Sequence, residues 1–356
     1  CPIMQGVPYY LRTALGLDDS KILRPVLDFT RGFDEGSDPM IDVAVKLGFS
    51  KSQGRKAWEV ALQWQKACYE EGRRIGAEVL AKANESKKPV IALCGRPYNA
   101  LTSQANMGIP RKFATRGYTV IPFDFLPIQD EEITDNMYWY YGQQNLKTAI
   151  QVKQHPNLFL CFVTNFSCAP YSFILHYLRW IHNTKPFLIL ELDSHTADAG
   201  VDTRIEAFLD IVEGYRRAKV TEEEMMVKRD WDIQLEGNKT CVRNNASGEV
   251  IELDDKRVKL LWPSMGQLAS RILSGVCRSH GIDSIALPEA DVHTAARARA
   301  VASGKECIPS LLVLGAFLDF FAKTEIDPNR VYLLFMPLTT GPCRTGQYAI
   351  FYQNLF

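Results

Sequence analysis

The stretch Lys87-Lys-Pro-Val-Ile-Ala-Leu-Cys-Gly-Arg-Pro-Tyr98 decides the fold. Proline removes a backbone donor and restrains the residue before it, so Lys87-Lys-Pro89 stops any helix that precedes. Val90 to Cys94 is then apolar without polar alternation, the pattern of a strand buried on both faces. Gly95 and Pro97 turn the chain immediately afterwards. Three further runs of this kind follow at Thr119 to Phe123, Leu158 to Thr164 and Phe187 to Leu192. Helical spacing fills the intervals over Asn106 to Arg116, Gly142 to Lys153 and Ser172 to His182. Apolar runs alternating with helices specify βαβ units and a parallel sheet, hence an α/β fold.

Upstream, residues 1–85 read as mostly helical. Ile41 to Leu47 is short and periodic. Arg55 to Ala83 is long, with Trp58, Ala61, Leu62, Gln65, Cys68, Ile75 and Val79 along one stripe. Downstream, residues 200–217 continue the helical pattern. Trp231 to Leu261 is polar, alternating and turn-rich, the signature of a β-hairpin insertion. Helical spacing returns at Gly266 to Ser279, near 294–302 and at 308–323, with short strands at Ser284–Leu287 and Val331–Met336. The expected organisation is a helical segment with the end of a preceding lobe at 1–86, a first α/β lobe at 87–220, an insertion at 221–263 and a second α/β lobe at 264–356. Cys1-Pro2 without an initiator Met, and a helix only begun at Tyr348–Phe356, read as the cut ends of a larger polypeptide.

Composition narrows the function classes. Of 356 residues, 46% are hydrophobic and 23% charged, too apolar for a disordered chain. Lys+Arg and Asp+Glu are 41 each, so there is neither the basic footprint of a nucleic-acid binder nor the basic face an anionic membrane attracts. The longest apolar stretch, Leu311 to Ala322, contains Asp319 and falls short of the ~20 residues a membrane span needs. Nine cysteines, an odd number in a chain too large to need disulfide staples, point to a reducing cytoplasm and to thiols that are buried, reactive or metal-bound.

The usual cofactor loops are absent. Cys94-Gly-Arg-Pro-Tyr98 follows a strand but is not GxGxxG, and Ser303-Gly-Lys-Glu306 lacks both the upstream glycine and the Ser/Thr of a P-loop. No HExxH, CxxC or GxSxG occurs. The cysteines instead divide by their neighbours. Cys1, Cys94, Cys168, Cys307 and Cys343 have proline within three residues, where 18 prolines in 356 residues would place about two of the nine by chance. Cys94, Cys168 and Cys343 fall at or just after strand ends and Cys307 just before a helix, and open α/β sheets bind ligands at the carboxyl ends of their strands. A rigid backbone there suits thiolates held on a metal centre, with nearby N–H groups to tune it. Cys68, Cys161, Cys241 and Cys277 lie within elements and read as ordinary small hydrophobes.

Two other stretches stand out. Asp193, His195, Asp198 and Asp202 would suit a metal, but capping and loop hydrogen bonds are the favoured reading. Met137-Tyr-Trp-Tyr-Tyr141 would stack a purine, though packing is favoured. His155, His176, His182, His280 and His293 default to core or surface.

Five motifs then come in register: Cys94-Gly-Arg-Pro-Tyr, Asn165-Phe-Ser-Cys168-Ala-Pro, Leu192 to Leu209, Gly304-Lys-Glu-Cys307-Ile-Pro, and Phe335 to Tyr348 through Cys343. Together, over about residues 88–350 and more weakly at Cys1-Pro2, they resemble the 2-hydroxyacyl-CoA dehydratase / benzoyl-CoA reductase component superfamily. The similarity is greatest to its double-cubane cluster branch, in the long form fused to a CoA enzyme activase. The resemblance implies two Rossmann-like lobes facing a cleft that holds an iron–sulfur centre, either an [8Fe-9S] double cubane or a [4Fe-4S] cluster. Carried onto this chain, its ligands are Cys1, Cys94, Cys168, Cys307 and Cys343. Asp193, His195, Asp198, Asp202 and Arg204 fall in a motif expected to line the cleft or the activase-docking face. The implied activity is low-potential, ATP-dependent reduction of a small molecule with an activase as partner, and a homodimer is a family expectation. The alternatives are a 2-hydroxyacyl-CoA dehydratase or aryl-CoA reductase subunit with a single cluster, and a cluster-free scaffold.

Overall fold

The computed structural model describes residues 2–29, 32–33, 36–127, 137–165, 168–218, 230–237, 239–302, 304, 306–339, 343–353 and 355–356. Cys1 and all of 221–229, the start of the expected insertion, therefore lie outside the described residues. The N-terminal segment is helical: α1 (Pro2–Leu15), α2 (Asp38–Lys46) and α3 (Lys51–Ser86). Ser50 and Gln53 form a reciprocal capping box that starts α3, and Lys87 ends it in the left-handed region.

Of the apolar stripe expected on α3, Trp58, Leu62 and Val79 are half-buried, Val79 against the core, whereas Cys68 and Ile75 are exposed; the fully buried positions are Gly54, Gly72, Gly76 and Ala83. At Gly76 a Cβ would sit 1.9 Å from the Phe125 carbonyl oxygen. Glycine here permits close backbone approach, an effect that a search for large apolar side chains cannot detect.

The first lobe contains β1 (Val90–Gly95), α4 (Ile109–Ala114), β2 (Thr119–Pro122), α5 (Tyr140–Gln154), β3 (Leu158–Thr164), α6 (Ala169–His182), β4 (Phe187–Glu191) and α7 (Asp198–Ala218). All four strands are parallel, in the order β2-β1-β3-β4. Alternation along the strands sorts the helices onto two faces. Val90, Ala92, Cys94, Leu158, Leu160 and Phe162 pack with α5 and α6. Ile91, Leu93, Phe159, Cys161 and Val163 pack with α4 and α7.

An antiparallel sheet follows, β5 (Trp231–Glu236), β6 (Lys239–Asn244) and β7 (Val250–Glu252). The sequence reading extended the hairpin to Leu261. The structure instead gives β8 (Val258–Trp262) to a second parallel sheet, as its central strand. That lobe continues with α8 (Gln267–Ser279), β9 (Ser284–Ala286), α9 (Val292–Arg299), α10 (Ile308–Lys323), β10 (Val331–Leu334) and α11 (Tyr348–Gln353), in the strand order β10-β8-β9. One apolar cluster spans both sheets, joining Phe162, Tyr171 and Phe173 to Leu261, Leu311, Phe317, Phe351 and Tyr352. Among the described residues, no helix is long and apolar enough to cross a membrane.

Candidate functional site at the strand ends and the lobe seam

The strand order β2-β1-β3-β4 places a topological switch point between β1 and β3, where the chain leaves a sheet in opposite directions and a crevice opens. At that crevice lie Gly95–Tyr98 on one side and Asn165 and Cys168 on the other. Gly95 has φ +146°, and a Cβ there would meet the Val163 carbonyl oxygen at 2.4 Å. Asn145 of α5 fixes the loop. Its Oδ1 accepts from Gly95 N at 2.7 Å, and its Nδ2 donates to the Tyr171 hydroxyl at 2.7 Å. The Arg96 guanidinium lies 5.0 Å from the centre of the Tyr171 ring and 5.9 Å from that of Tyr141. Its Nε and the Thr164 hydroxyl are buried with no hydrogen-bond partner among the described residues.

Three of the singled-out cysteines share one structural role. Cys168 is the N-cap of α6, Cys307 the N-cap of α10, and Cys343 the N-cap of the 3₁₀ turn Arg344–Gln347 that leads into α11. Pro170 and Pro309 lie in the first turns of α6 and α10, where their missing N–H costs no intrahelical bond. Neither Cys168 nor Cys307 makes a side-chain capping bond, so both sulfurs stay available at the positive ends of their helices. Cys168 and Cys307 are half-buried and Cys343 is exposed.

Two of these thiols meet a hydroxyl: the Tyr348 hydroxyl bonds Cys307 Sγ, and Thr345 Oγ1 lies 3.2 Å from Cys343 Sγ. The Thr345 hydroxyl and backbone N–H, aided by the Arg344 guanidinium, hold the Cys343 thiol below its ordinary pKa. Burial, and next the Cys307 contact, pushes the Tyr348 phenol up. Cys94 differs. It is fully buried against α5, and desolvation raises its pKa well above the ordinary thiol value.

The C-terminal segment joins the helices that carry these thiols. Arg344 Nη1 donates to Ser172 Oγ at 2.9 Å in the first turn of α6, and the Tyr177 hydroxyl donates to Gln347 Oε1 at 2.8 Å. On the other side the Tyr352 hydroxyl donates to the Ser310 carbonyl at 2.7 Å in the first turn of α10. Phe173 of α6 packs 5.7 Å from Tyr348 and 5.8 Å from Phe351, ring centre to ring centre. The Tyr138 hydroxyl donates to the Cys343 carbonyl at 3.0 Å. Cys168, Cys307 and Cys343 thus border one seam, with α11 between α6 and α10. Among the described residues, no three His, Cys, Asp or Glu side chains converge closely enough to hold a single metal ion.

The acidic stretch lies on the other face of the first sheet, at the start of α7. Asp193 accepts from the His195 N–H and the Thr196 hydroxyl, both at 2.8 Å. Asp198 and Asp202 pair with Lys112 of α4, and Asp202 also with Arg116. The Lys112 hydrogen bond holds the Asp202 carboxyl below its ordinary pKa. His195 and Arg204 are both exposed. In the 137–141 aromatic cluster, Met137 and Trp139 are buried in the core while Tyr140 is exposed.

Tyr348 was not singled out in the sequence. It nevertheless closes a cysteine motif, Cys343-Arg-Thr-Gly-Gln-Tyr348, which is the signal that was there to read.

A family model described as "CoA enzyme activase uncharacterised domain" matches residues 1–126, about a third of the chain. It covers α1 to β2 with the Cys94 loop, and ties that part of the chain to the CoA enzyme activase-related family. Cys168, Cys307 and Cys343 lie outside it. No curated protein and no solved structure matches the chain.

Proposed function

We propose that this chain is the thiolate-bearing part of an iron–sulfur reductase or electron-transfer component, served by an ATP-dependent activase and reducing a small molecule. One observation carries the reading: thiols from sequence positions far apart cap helix N-termini along a single seam between two α/β lobes. The activase-related match over residues 1–126 supports the setting.

The donor set fits such a group in chemistry. Thiolates are the characteristic ligands of iron–sulfur clusters, and helix N-termini favour negative charge. A multi-iron cluster also spreads its ligands wider than one ion does, consistent with thiols that border the seam without meeting. Cys168, Cys307 and Cys343 would hold it. Cys94 does not fit as placed, since its sulfur faces the core. When bound, the cluster supplies electrons at low potential. The protein's own residues fix the three sulfurs through helix caps, and two of them also through hydroxyl contacts, and α11 keeps the two lobes in register. Exposed Asp193 and Arg204 keep the start of α7 as our candidate docking face for the activase.

The burial of Cys94 also favours the second reading, a 2-hydroxyacyl-CoA dehydratase or aryl-CoA reductase subunit with one [4Fe-4S] centre, because it shrinks the ligand set. Anaerobic iron and sulfide analysis with EPR separates the readings: about eight iron per chain for a double cubane, about four for a single cubane. A colourless, iron-free protein after anaerobic reconstitution overturns both.

A further inference from the structure

Arg96 and Thr164 each come one residue after the last pair that β1 and β3 form, Gly95 with Val163. Both lie on the α5–α6 face of the sheet. Phe162, two residues before Thr164, stacks on Tyr171 in the first turn of α6 with ring centres 5.2 Å apart, and alternation along the strand turns Thr164 the same way. The Arg96 guanidinium lies 5.0 Å from the centre of that same ring. Two neighbouring strand ends thus aim a guanidinium and a hydroxyl at the start of one helix. Arg96 Nε and Thr164 Oγ1 are both buried with no hydrogen-bond partner among the described residues, and Thr164 is only 1% exposed. The Arg96 charge meets the Tyr171 and Tyr141 rings and, among the described residues, no carboxylate. Buried donors left unpaired are costly, and a ligand that pairs both recovers that cost. We infer that Arg96 and Thr164, at the N-terminus of α6, form a subsite for the carboxylate of a small organic acid.

The ligand class follows from the donors. Nε lies on the edge of a planar fork that binds a carboxylate through two parallel hydrogen bonds. The Thr164 hydroxyl adds a third donor, and α6, whose N-cap makes no side-chain capping bond, adds its positive end. One guanidinium balances the single charge of a carboxylate, whereas a phosphate group carries about 1.5–2 charges at neutral pH. The cradle is fixed in advance: Asn145 accepts from Gly95 N and donates to the Tyr171 hydroxyl, both at 2.7 Å, tying the strand end to the helix. The inference goes beyond the proposed function and needs no cluster, since an iron-free chain keeps both donors.

The experiment titrates acetate, phenylacetate and inorganic phosphate into the iron-free chain and follows the arginine Nε–H signals by nitrogen-15 NMR. The Arg96 signal is assigned by its absence from Arg96→Lys. A saturable shift of that signal with the carboxylates is expected. Thr164→Val should weaken their binding about 2–10-fold. Because it removes a buried hydroxyl that bonds nothing in the protein, it should leave the thermal midpoint at or above the wild-type value. Arg111→Gln, an equal loss of charge at an exposed position of α4 across the sheet, should change neither. No saturable shift of the Arg96 signal overturns the inference. So does unchanged affinity in Thr164→Val, or equal weakening in Arg111→Gln, which would mean a diffuse charge effect. Tighter binding of phosphate than of either carboxylate overturns the assignment of the ligand. None of these results bears on bound iron, so the proposed function stands or falls separately.

Discussion

Lowering the pH from 7 to 5 should loosen the seam through two histidines. His176 and His182 of α6 are both buried, and neither ring has a hydrogen-bond partner among the described residues. His176 lies against Phe173, Tyr177 and Phe351, with ring-centre distances of 4.6, 4.1 and 4.4 Å. His182 stacks on Phe187, with Lys185 and Lys153 nearby. Desolvation, the largest cause, and then nearby cations push each imidazole down to about 3. The unfolded chain binds these protons near pH 6.5, and the folded one does not until near pH 3. Each histidine therefore contributes stability that is fully present above about pH 6.5 and is lost as the pH falls towards 3. At ~1.4 kcal/mol per pH unit, the drop to pH 5 costs about 2 kcal/mol per histidine and about 4 for both. A cavity of about 200 Å³ is lined by His176, Trp180 and Ala302. Urea denaturation at pH 7 and pH 5 measures the loss. His176→Phe should recover about half of it, and the double variant with His182→Phe nearly all. Equal pH sensitivity in the wild type and the double variant would refute the reasoning.

Other outcomes are as specific. Cys168→Ser, Cys307→Ser and Cys343→Ser should each lower bound iron or convert the cluster, whereas Cys94→Ser and Cys241→Ser should leave it intact; equal iron in all five variants contradicts the ligand assignment. Turnover should require a strong reductant together with an ATPase component, and efficient turnover with NADH alone counts against that. Gly76→Ala forces a methyl onto the Phe125 carbonyl oxygen and should destabilise the packing of α3 by about 1–3 kcal/mol, read as a lower thermal midpoint. Phe162→Ala, at a position of β3 with no exposed surface, should cost about 3–5 kcal/mol in the same assay.

The central strands β1 and β3 were legible because each is buried on both faces and so reads as an unbroken apolar run between turn signals, while the edge strands β2 and β4 are only partly buried. β8 was harder to place. It follows directly on the alternating hairpin strands, and sequence alone does not show that Val258 pairs with Val331 rather than with its predecessors. α8 shows a different limit. Its periodicity marks a helix correctly, yet Ser270 and Ser274 face inward, with Ser274 bonded to Ser284, while Leu268, Ile272 and Val276 are exposed. Polarity alone would orient that helix the other way. At the site, proline neighbours singled out the three N-cap cysteines, but the same signal also selected Cys94, whose side chain falls on the inward face of β1. Which way a strand's last residue points depends on the helices chosen to cover each face, and that is a tertiary fact. The phenol partner of Cys307 was hidden for the same reason, since Tyr348 lies 41 residues from it.

The placement of α11 governs how anything enters the site. Tyr348, Phe351 and Tyr352 are wedged between α6 and α10, and withdrawing a ring of that size from a core forfeits roughly 1.5–3 kcal/mol. A hinge that swung the lobes apart would have to extract all three at once. On the proposed function, access to the thiols would therefore have to come without parting the two halves.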